Sequence, residues 1–413
     1  MSIAIAASCD VAIIGAGPAG AVAAAILAGK GYDVVVLERQ AFPRFSIGES
    51  LLPQCMAVLE EAGMMDAVVS AQFQLKNGAA FDRGDAHAVF DFSDKFSPGC
   101  ASTFEVQRAH FDKILADQAA RSGVAIHYRC EITDIDLDGD QPTLSYRDPD
   151  GNCGQLRATF CLDASGFGQT LAKSQGLLRP TSWPTRESIF THLVDHMDAS
   201  AFDRNKILIT VHPQHHDVWF WLIPFSNGIS SLGVVGAEGS FARLSGDNQA
   251  VLQEIVSETG LLSSLLSNAD YNKPCQRITG YASNVERLYG ENFALLGNAG
   301  GFLDPVFSSG VTIALKSASL AANLLDRQFQ GHDVSWEHEF AAPLERGVNT
   351  FRQFVAAWYD GRLQDIIFAN SHNHRVRQMI CSILAGYAWD EQNPYVAQPE
   401  RRLTALAEVC RLQ

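Results

Sequence analysis

Gly15, Gly17 and Gly20 stand in the run Gly-Ala-Gly-Pro-Ala-Gly over residues 15–20, directly after the short strand-like run Asp10–Ile14. The chemistry open to that spacing is anion binding. Gly15 permits a tight turn, Gly17 lets the backbone approach a pyrophosphate, and Gly20 lets the following helix pack on the strand. The free N–H groups of that helix start, Ala19 among them, face the phosphates. Glu38 closes the next apolar run, Asp33–Leu37. There a carboxylate can accept hydrogen bonds from both ribose hydroxyls of an adenosine. A glycine pattern alone is weak evidence, but strand, small-residue helix (21–29), second strand and terminal acid in this order predict a dinucleotide-binding βαβ unit.

Three other groups could carry chemistry. Trp219 and Trp221 lie two apart in Trp-Phe-Trp-Leu-Ile-Pro, so a strand there puts both indoles on one face. An aromatic core strand is the plainer account of the same residues. The segment Phe302-Leu303-Asp304-Pro305-Val306-Phe307-Ser308-Ser309-Gly310 reads as a glycine-containing turn entering a helix, a geometry suited to an anion. Lys76 is set among Phe73, Leu75 and Phe81. A lone lysine is commonly a solvated charge, whereas in apolar surroundings desolvation lowers its pKa and makes the nitrogen more nucleophilic. His212, His215 and His216, and His372 and His374, lack the acidic or cysteine partners of a complete metal site and read as solvated, so no metal is expected.

These residues need elements to position them. Helical spacing runs through 103–122, and a strand meander follows, ending at Phe160–Gly166. Alternating strands appear at 207–211, 218–223 and 230–235, with a helix near 249–266. Another buried strand spans 293–297, a small-residue helix follows from 310 to 325, and the pattern is helical from about 336 onward. The expected fold class is α/β. A Rossmann-like dinucleotide-binding domain (1–184, returning at 284–335) carries an inserted β-sheet substrate domain (185–283), with a helical region over 336–413. The 31 basic and 46 acidic side chains give a net charge of −15, which opposes nonspecific binding to nucleic acid or anionic membrane. Nine cysteines without a CxxC pair suit reduced thiols, and no stretch reaches the length of a membrane span. A cytoplasmic protein is expected.

Arg108 and Asp112, the Asp163-Ala164-Ser165-Gly166 turn and Gly297-Asn298-Ala299-Gly300 together resemble the FAD-binding pattern of the class A flavoprotein monooxygenase fold. That resemblance implies FAD, with Arg108 near the pyrophosphate, Asp163 and Gly166 in the cofactor turn, and position 298 on ribityl or phosphate oxygens. Asn298 departs from the usual Asp there. No second glycine fingerprint offers a nicotinamide site. Over roughly residues 8 to 395 the chain further resembles the flavin-dependent halogenases. It matches their WxWxIP at Trp219–Pro224, their FxxPxxSxG at Phe302–Gly310 and their lysine at Lys76. Pro43-Arg44-Phe45 and Ile47-Gly48-Glu49-Ser50-Leu51-Leu52-Pro53 resemble the family's strap over the flavin, adding Arg44, Ile47, Gly48 and Ser50 to the cofactor contacts. Gly386–Pro394 resembles a family segment near the C-terminus.

By that resemblance, the backbone N–H groups of Ser309 and Gly310 hold a chloride or bromide beside the flavin, with Pro305 in the same turn. Externally supplied reduced FAD, O2 and the halide give hypohalous acid, and a transient flavin reductase is the implied partner. Trp219, Trp221 and Phe307 wall the flavin from the organic substrate. Lys76 activates the hypohalous acid, by hydrogen bonding or as a haloamine, for electrophilic substitution on an electron-rich ring. Tryptophan-specific members carry a glutamate two residues before the halide pair, and this chain has Phe307. A phenolic or pyrrolic substrate, free or carrier-bound, is therefore expected. The competing readings are a flavin hydroxylase on the same fold, an isoprenoid-type flavin reductase, and a flavin-binding protein without turnover.

Overall fold

The computed structural model of the chain describes residues 5–181, 183–369 and 373–412, so His372 lies outside the described residues. β1 (Ser8–Ile14), α1 (Pro18–Gly29) and β2 (Val34–Glu38) form the expected βαβ unit, the two strands parallel. Val11–Ile14 and Val34–Leu37 are buried, as suits unbroken apolar strands covered on both faces. Ala19, Ala21, Ala23, Ala24 and Ala25 of α1 are buried as well, so the helix sits close to the sheet. A strap over residues 43–54 leads into α2 (Cys55–Glu61) and α3 (Met65–Ser70).

β3 (Gln74–Lys76), β4 (Gly78–Arg83), β5 (Ala86–Asp91) and β6 (Thr103–Glu105) come before α4 (Arg108–Arg121). The helical spacing of 103–122 therefore belongs only to its later part. Thr103–Glu105 is held extended by antiparallel pairing with β3, and the helix starts after an extended Gln107. β7 (Ala125–Tyr128), β8 (Glu131–Asp136), β9 (Thr143–Arg147) and β10 (Cys153–Asp163) complete most of the first sheet, with order β7-β2-β1-β10-β9-β8. β7, β2, β1 and β10 run parallel, whereas β8 and β9 form the antiparallel meander. α5 (Thr170–Ser174) and β11 (Leu178–Arg179) lead out of it.

The second sheet contains β12 (Arg186–Val194), β13 (Lys206–Val211), β14 (Trp219–Pro224), β15 (Ile229–Ala237) and, after two helices, β16 (Gln276–Thr279). Its order is β16-β12-β15-β14-β13-β4-β5, so two of its seven strands come from residues 78–91, ahead of the 185–283 span. β4 and β13 pair in parallel. The helical stretch near 249–266 is two helices, α6 (Asn248–Ser257) and α7 (Leu261–Leu265), interrupted around Thr259 and Gly260. β17 (Asn284–Val285) pairs with β11, and β18 (Phe293–Leu295) returns to the first sheet beside β10.

α8 (Ser309–Phe329) lies against α1, and the chain ends in α9 (Ala342–Tyr359), α10 (Arg362–Ile367), α11 (His374–Leu384), α12 (Pro394–Ala397) and α13 (Pro399–Arg411). Phe351, Phe354 and Trp358 from α9 share one core with Trp219, Trp221 and Phe307. The helical end is thus the backing of the indole strand. The nine cysteines are free thiols, and among the described residues no helix is long and apolar enough to cross a membrane. His212 corrects the solvated reading of its cluster. It is fully buried, and its Nε2 lies 2.8 Å from Glu258 Oε2, because the turn folds back onto the end of α6.

Candidate active site

A cleft of about 510 Å³ opens at the carboxyl ends of β1 and β2, where ligands bind in doubly wound sheets. Gly15 has φ +96°, and a Cβ there would lie 2.7 Å from the Ala164 carbonyl oxygen. A Cβ on Gly20 would lie 1.9 Å from the carbonyl oxygen of Gly15, so Gly20 serves the packing of helix on turn and does not line the cleft. No side chain caps α1, whose first-turn N–H groups face the same space as the Arg44 guanidinium. That uncapped helix start beside a cation fits a pyrophosphate. Glu38, buried at the end of β2, accepts the N–H groups of Ala16 and Gln40 at 2.8 Å each and keeps further lone pairs on the cleft.

Asp112 gathers the two arginines. Arg108 donates to it from Nε (2.7 Å) and Nη2 (3.0 Å), and Arg44 donates from Nη1 (3.1 Å). Arg108 also donates to the carbonyls of Ile47 (2.6 Å) and Gly48 (3.3 Å), so α4 ties the strap across the cleft. Ile47, Gly48, Glu49 and Ser50 all line it. Asp163 does not. Its fully buried carboxylate accepts the N–H groups of Ser165 (2.9 Å) and Leu171 (2.8 Å) and shapes the turn whose residues, Ala164 to Gly168, do line the cleft. Burial pushes that carboxyl above its ordinary pKa. Asn298, Pro305 and Gly310 lie on the cleft wall.

The far wall is the indole strand. Trp219 and Trp221 both line the cleft, with ring centroids 6.0 Å apart. Trp221 donates to Ser231 Oγ at 3.1 Å, and its ring lies over Gly233, where a Cβ would come within 2.2 Å of it. Trp219 donates to Tyr359 Oη at 3.0 Å, and Tyr359 in turn donates to Asp304 Oδ2 at 2.8 Å. Asp304 Oδ1 accepts the N–H of Val306 at 3.0 Å. The tryptophan strand, α9 and the turn entering α8 are therefore one hydrogen-bonded unit. Burial raises the Asp304 carboxyl to about 6.

That turn ends at Ser308, held at φ +55°, and no side chain caps α8. Ser308, Gly310 and Val311 line the cleft, while the Ser309 side chain is buried behind them. Phe307 points away from the cleft, edge-on to Phe354 and Trp358.

Lys76 stands beyond the strap. It is 1% exposed, and its Nζ donates to the Leu51 carbonyl at 2.9 Å and lies 5.5 Å from the centre of the Phe92 ring. Burial lowers its pKa to about 8, with Glu105 and Cys55 opposing the shift. Lys76 does not line the cleft, although Ser50, one residue before Leu51, does. Sequence reasoning missed three groups here: Glu105, the Asp304–Tyr359 contact, and Glu49, whose carboxylate lies 2.7 Å from His192 Nε2. Glu49 and Asp304 fell inside segments already singled out. Glu105 and Tyr359 carried no local signal, since only the tertiary fold brings them to the site.

The chain matches the FAD binding domain family over residues 8–264. It is 27% identical to the 1H-pyrrole-2-carbonyl-[peptidyl-carrier protein] chlorinase of Pseudomonas fluorescens, covering 97% of this chain and 94% of that one. The crystal structure of a flavoprotein/dehydrogenase from Cytophaga hutchinsonii superposes with a TM-score of 0.95 at 42% identity, covering 98% and 99% of the two chains. The flavin-dependent brominase Bmp2 gives a TM-score of 0.80 at 25% identity, covering 98% and 100%. Further relatives from Armillaria mellea and Penicillium aethiopicum are named flavin-dependent halogenases. The chain belongs to the FAD-binding domain family, and proteins named flavin-dependent halogenases are among the relatives it resembles.

Proposed function

We propose that this protein is a two-component, cytoplasmic FAD-dependent halogenase that places chlorine or bromine on an electron-rich phenolic or pyrrolic ring, free or tethered to a carrier protein. The observation that carries the reading is Lys76, a buried amine without a salt-bridge partner among the described residues, one strap away from a flavin cleft walled by two indoles. The pyrrolyl-carrier chlorinase among the relatives supports the substrate class. The same-fold hydroxylase needs no such lysine.

FAD, when bound in its reduced form, supplies the activation of O2 that oxidises halide to hypohalous acid. The chain's residues do the rest. The uncapped N–H groups at Ser309 and Gly310 hold the halide at the positive end of α8. Trp219 and Trp221 occupy the volume through which an organic ring would reach the flavin. Arg108 and Asp112 hold the strap closed against water. Lys76 receives hypohalous acid beyond it, and its lowered pKa leaves a workable fraction of neutral amine near pH 8.

The test supplies the protein with FAD, NADH, a separate flavin reductase, O2 and bromide, and follows phenols and a pyrrolyl carrier by mass spectrometry. Brominated product that depends on the reductase is expected, and oxygenated product overturns the reading. Lys76→Met, close in length and bulk, should keep FAD and O2 consumption yet lose product about 100-fold or more. A fully active Met variant removes the lysine from the chemistry.

A further inference from the structure

Lys76 shares its ribbon with a second buried ionisable group. In the β3–β6 pairing, Lys76 stands opposite Thr103 and Gln74 opposite Glu105. Side chains two apart on a strand share a face, so Lys76 and Glu105 are diagonal neighbours on one face. Such positions lie about 7–8 Å apart, within reach of long side chains. Gln74 is spent elsewhere, its amide donating to Asn205 Oδ1 at 2.9 Å.

Glu105 is fully buried, and neither of its carboxylate oxygens has a hydrogen-bond partner among the described residues. The hydroxyls of Thr103, opposite Lys76, and of Ser50, whose backbone bridges Glu105, are also buried without partners among the described residues. Lys76 Nζ, meanwhile, is bonded to the Leu51 carbonyl rather than to the carboxylate. Natural proteins seldom leave buried polar atoms unpaired, and a cluster of them around one amine marks a working site more than a structural one. Ser50 is the shared wall between this cluster and the flavin cleft.

We infer that Glu105 is the proton partner of Lys76, delivering a proton to the lysine nitrogen as the halogen leaves it and collecting the proton that the aromatic ring releases. The inference rests on the reading of Lys76 as halogen carrier. The neutral amine attacks hypohalous acid: the N–halogen bond forms, the O–halogen bond breaks, and the hydroxide leaves as water with an amine proton. A ring carbon then attacks the halogen. The C–halogen bond forms, the N–halogen pair returns to nitrogen, and the Glu105 carboxyl proton goes to that nitrogen. The ring proton passes to the Glu105 carboxylate and restores both groups. The sum is arene plus hypohalous acid giving haloarene plus water. Burial, which raises the Glu105 carboxyl well above its ordinary range, favours the protonated form that the step draws on.

The test is Glu105→Gln in the FAD-loaded enzyme, run with reductase, O2, bromide and a phenol found to be a substrate. FAD binding and O2 consumption should stay within about twofold, and product should fall about 100-fold, the scale of a lost general acid. A slot that merely needs filling would behave the same way, so the deciding readout is the fate of the halogen. After rapid desalting, the Gln variant should carry a persistent protein-bound oxidant that titrates with thionitrobenzoate and is absent from a Lys76→Met/Glu105→Gln double variant. Unchanged product overturns the inference. So does lost product without a bound oxidant, or an oxidant that survives in the double variant. If the Gln chain does not take up FAD, Glu105→Asp is used, for which slower product with the same lysine-dependent oxidant is expected and full speed overturns the proposal. An active Lys76→Met single variant instead defeats the underlying reading of the lysine.

Discussion

Asp304 gives the sharpest test of the energetics, because its environment sets both the sign and the size of a pH effect. The carboxyl is 3% exposed and its pKa is raised from 3.8 to about 6, chiefly by burial, against the opposing bonds from Val306 and Tyr359. The folded state therefore holds a proton between about pH 4 and 6 that the unfolded chain has released. The resulting stabilisation is complete below the unfolded pKa and is lost as pH rises through the folded one. A shift of about two units corresponds to roughly 3 kcal/mol. Asp304→Asn removes the titration while keeping an oxygen for the Val306 N–H. The amide turns the Tyr359 contact around, an offset of about 1 kcal/mol that does not vary with pH in this range. The stability of the Asn variant relative to the parent should thus rise by roughly 2.5 kcal/mol from pH 4 to pH 7, the unfolded carboxyl being already more than half ionised at pH 4. Urea unfolding of the FAD-loaded proteins at both pH values measures it. An equal gap at the two pH values refutes burial as the source of the shift.

Two glycines provide further checks. Gly15→Ala sets a Cβ 2.7 Å from the Ala164 oxygen at φ +96°, a strain of about 1–3 kcal/mol at the pyrophosphate turn. FAD affinity, read by flavin fluorescence, should fall about tenfold or more. Gly233→Ala sets a Cβ 2.2 Å from the Trp221 ring, and the indole has to leave its place. Halogenated product should drop several-fold while hydrogen peroxide release rises, and an unchanged ratio of the two would count against the indole wall.

Much of the fold could be read in advance because its signals are local. The Gly15–Gly20 turn, the apolar runs of β1 and β2 and the alternation of β14 each follow from residues adjacent in the chain. Thr103–Glu105 was misjudged as helix because three residues are too few to show a period, and only the pairing with Gln74–Lys76 makes them extended. His212 was misjudged for a similar reason, since its partner Glu258 is 46 positions away. Most of the residues expected at the cofactor line the cleft. Gly20 and Asp163 support it from behind, and Phe307 faces α9, distinctions that a motif cannot carry because it records which residues are present and not which way they point. Glu105 and Tyr359 escaped altogether, as their chemistry exists only once distant strands and helices meet.

The strand order also bears on how such an enzyme can change. Lys76 leads through Asn77 into β4, β4 pairs with β13, and β13 pairs with the β14 strand that bears the indoles. Two strand spacings, about 10 Å in all, separate β4 from β14, and backbone ladders fix that interval whatever side chains decorate it. The hairpin tips at 84–85, 213–216 and 226–228 hang outside those ladders. They can lengthen or change composition without altering the interval. The tips can thus drift across generations, while the reach from indole strand to lysine is inherited as a ruler of two strands.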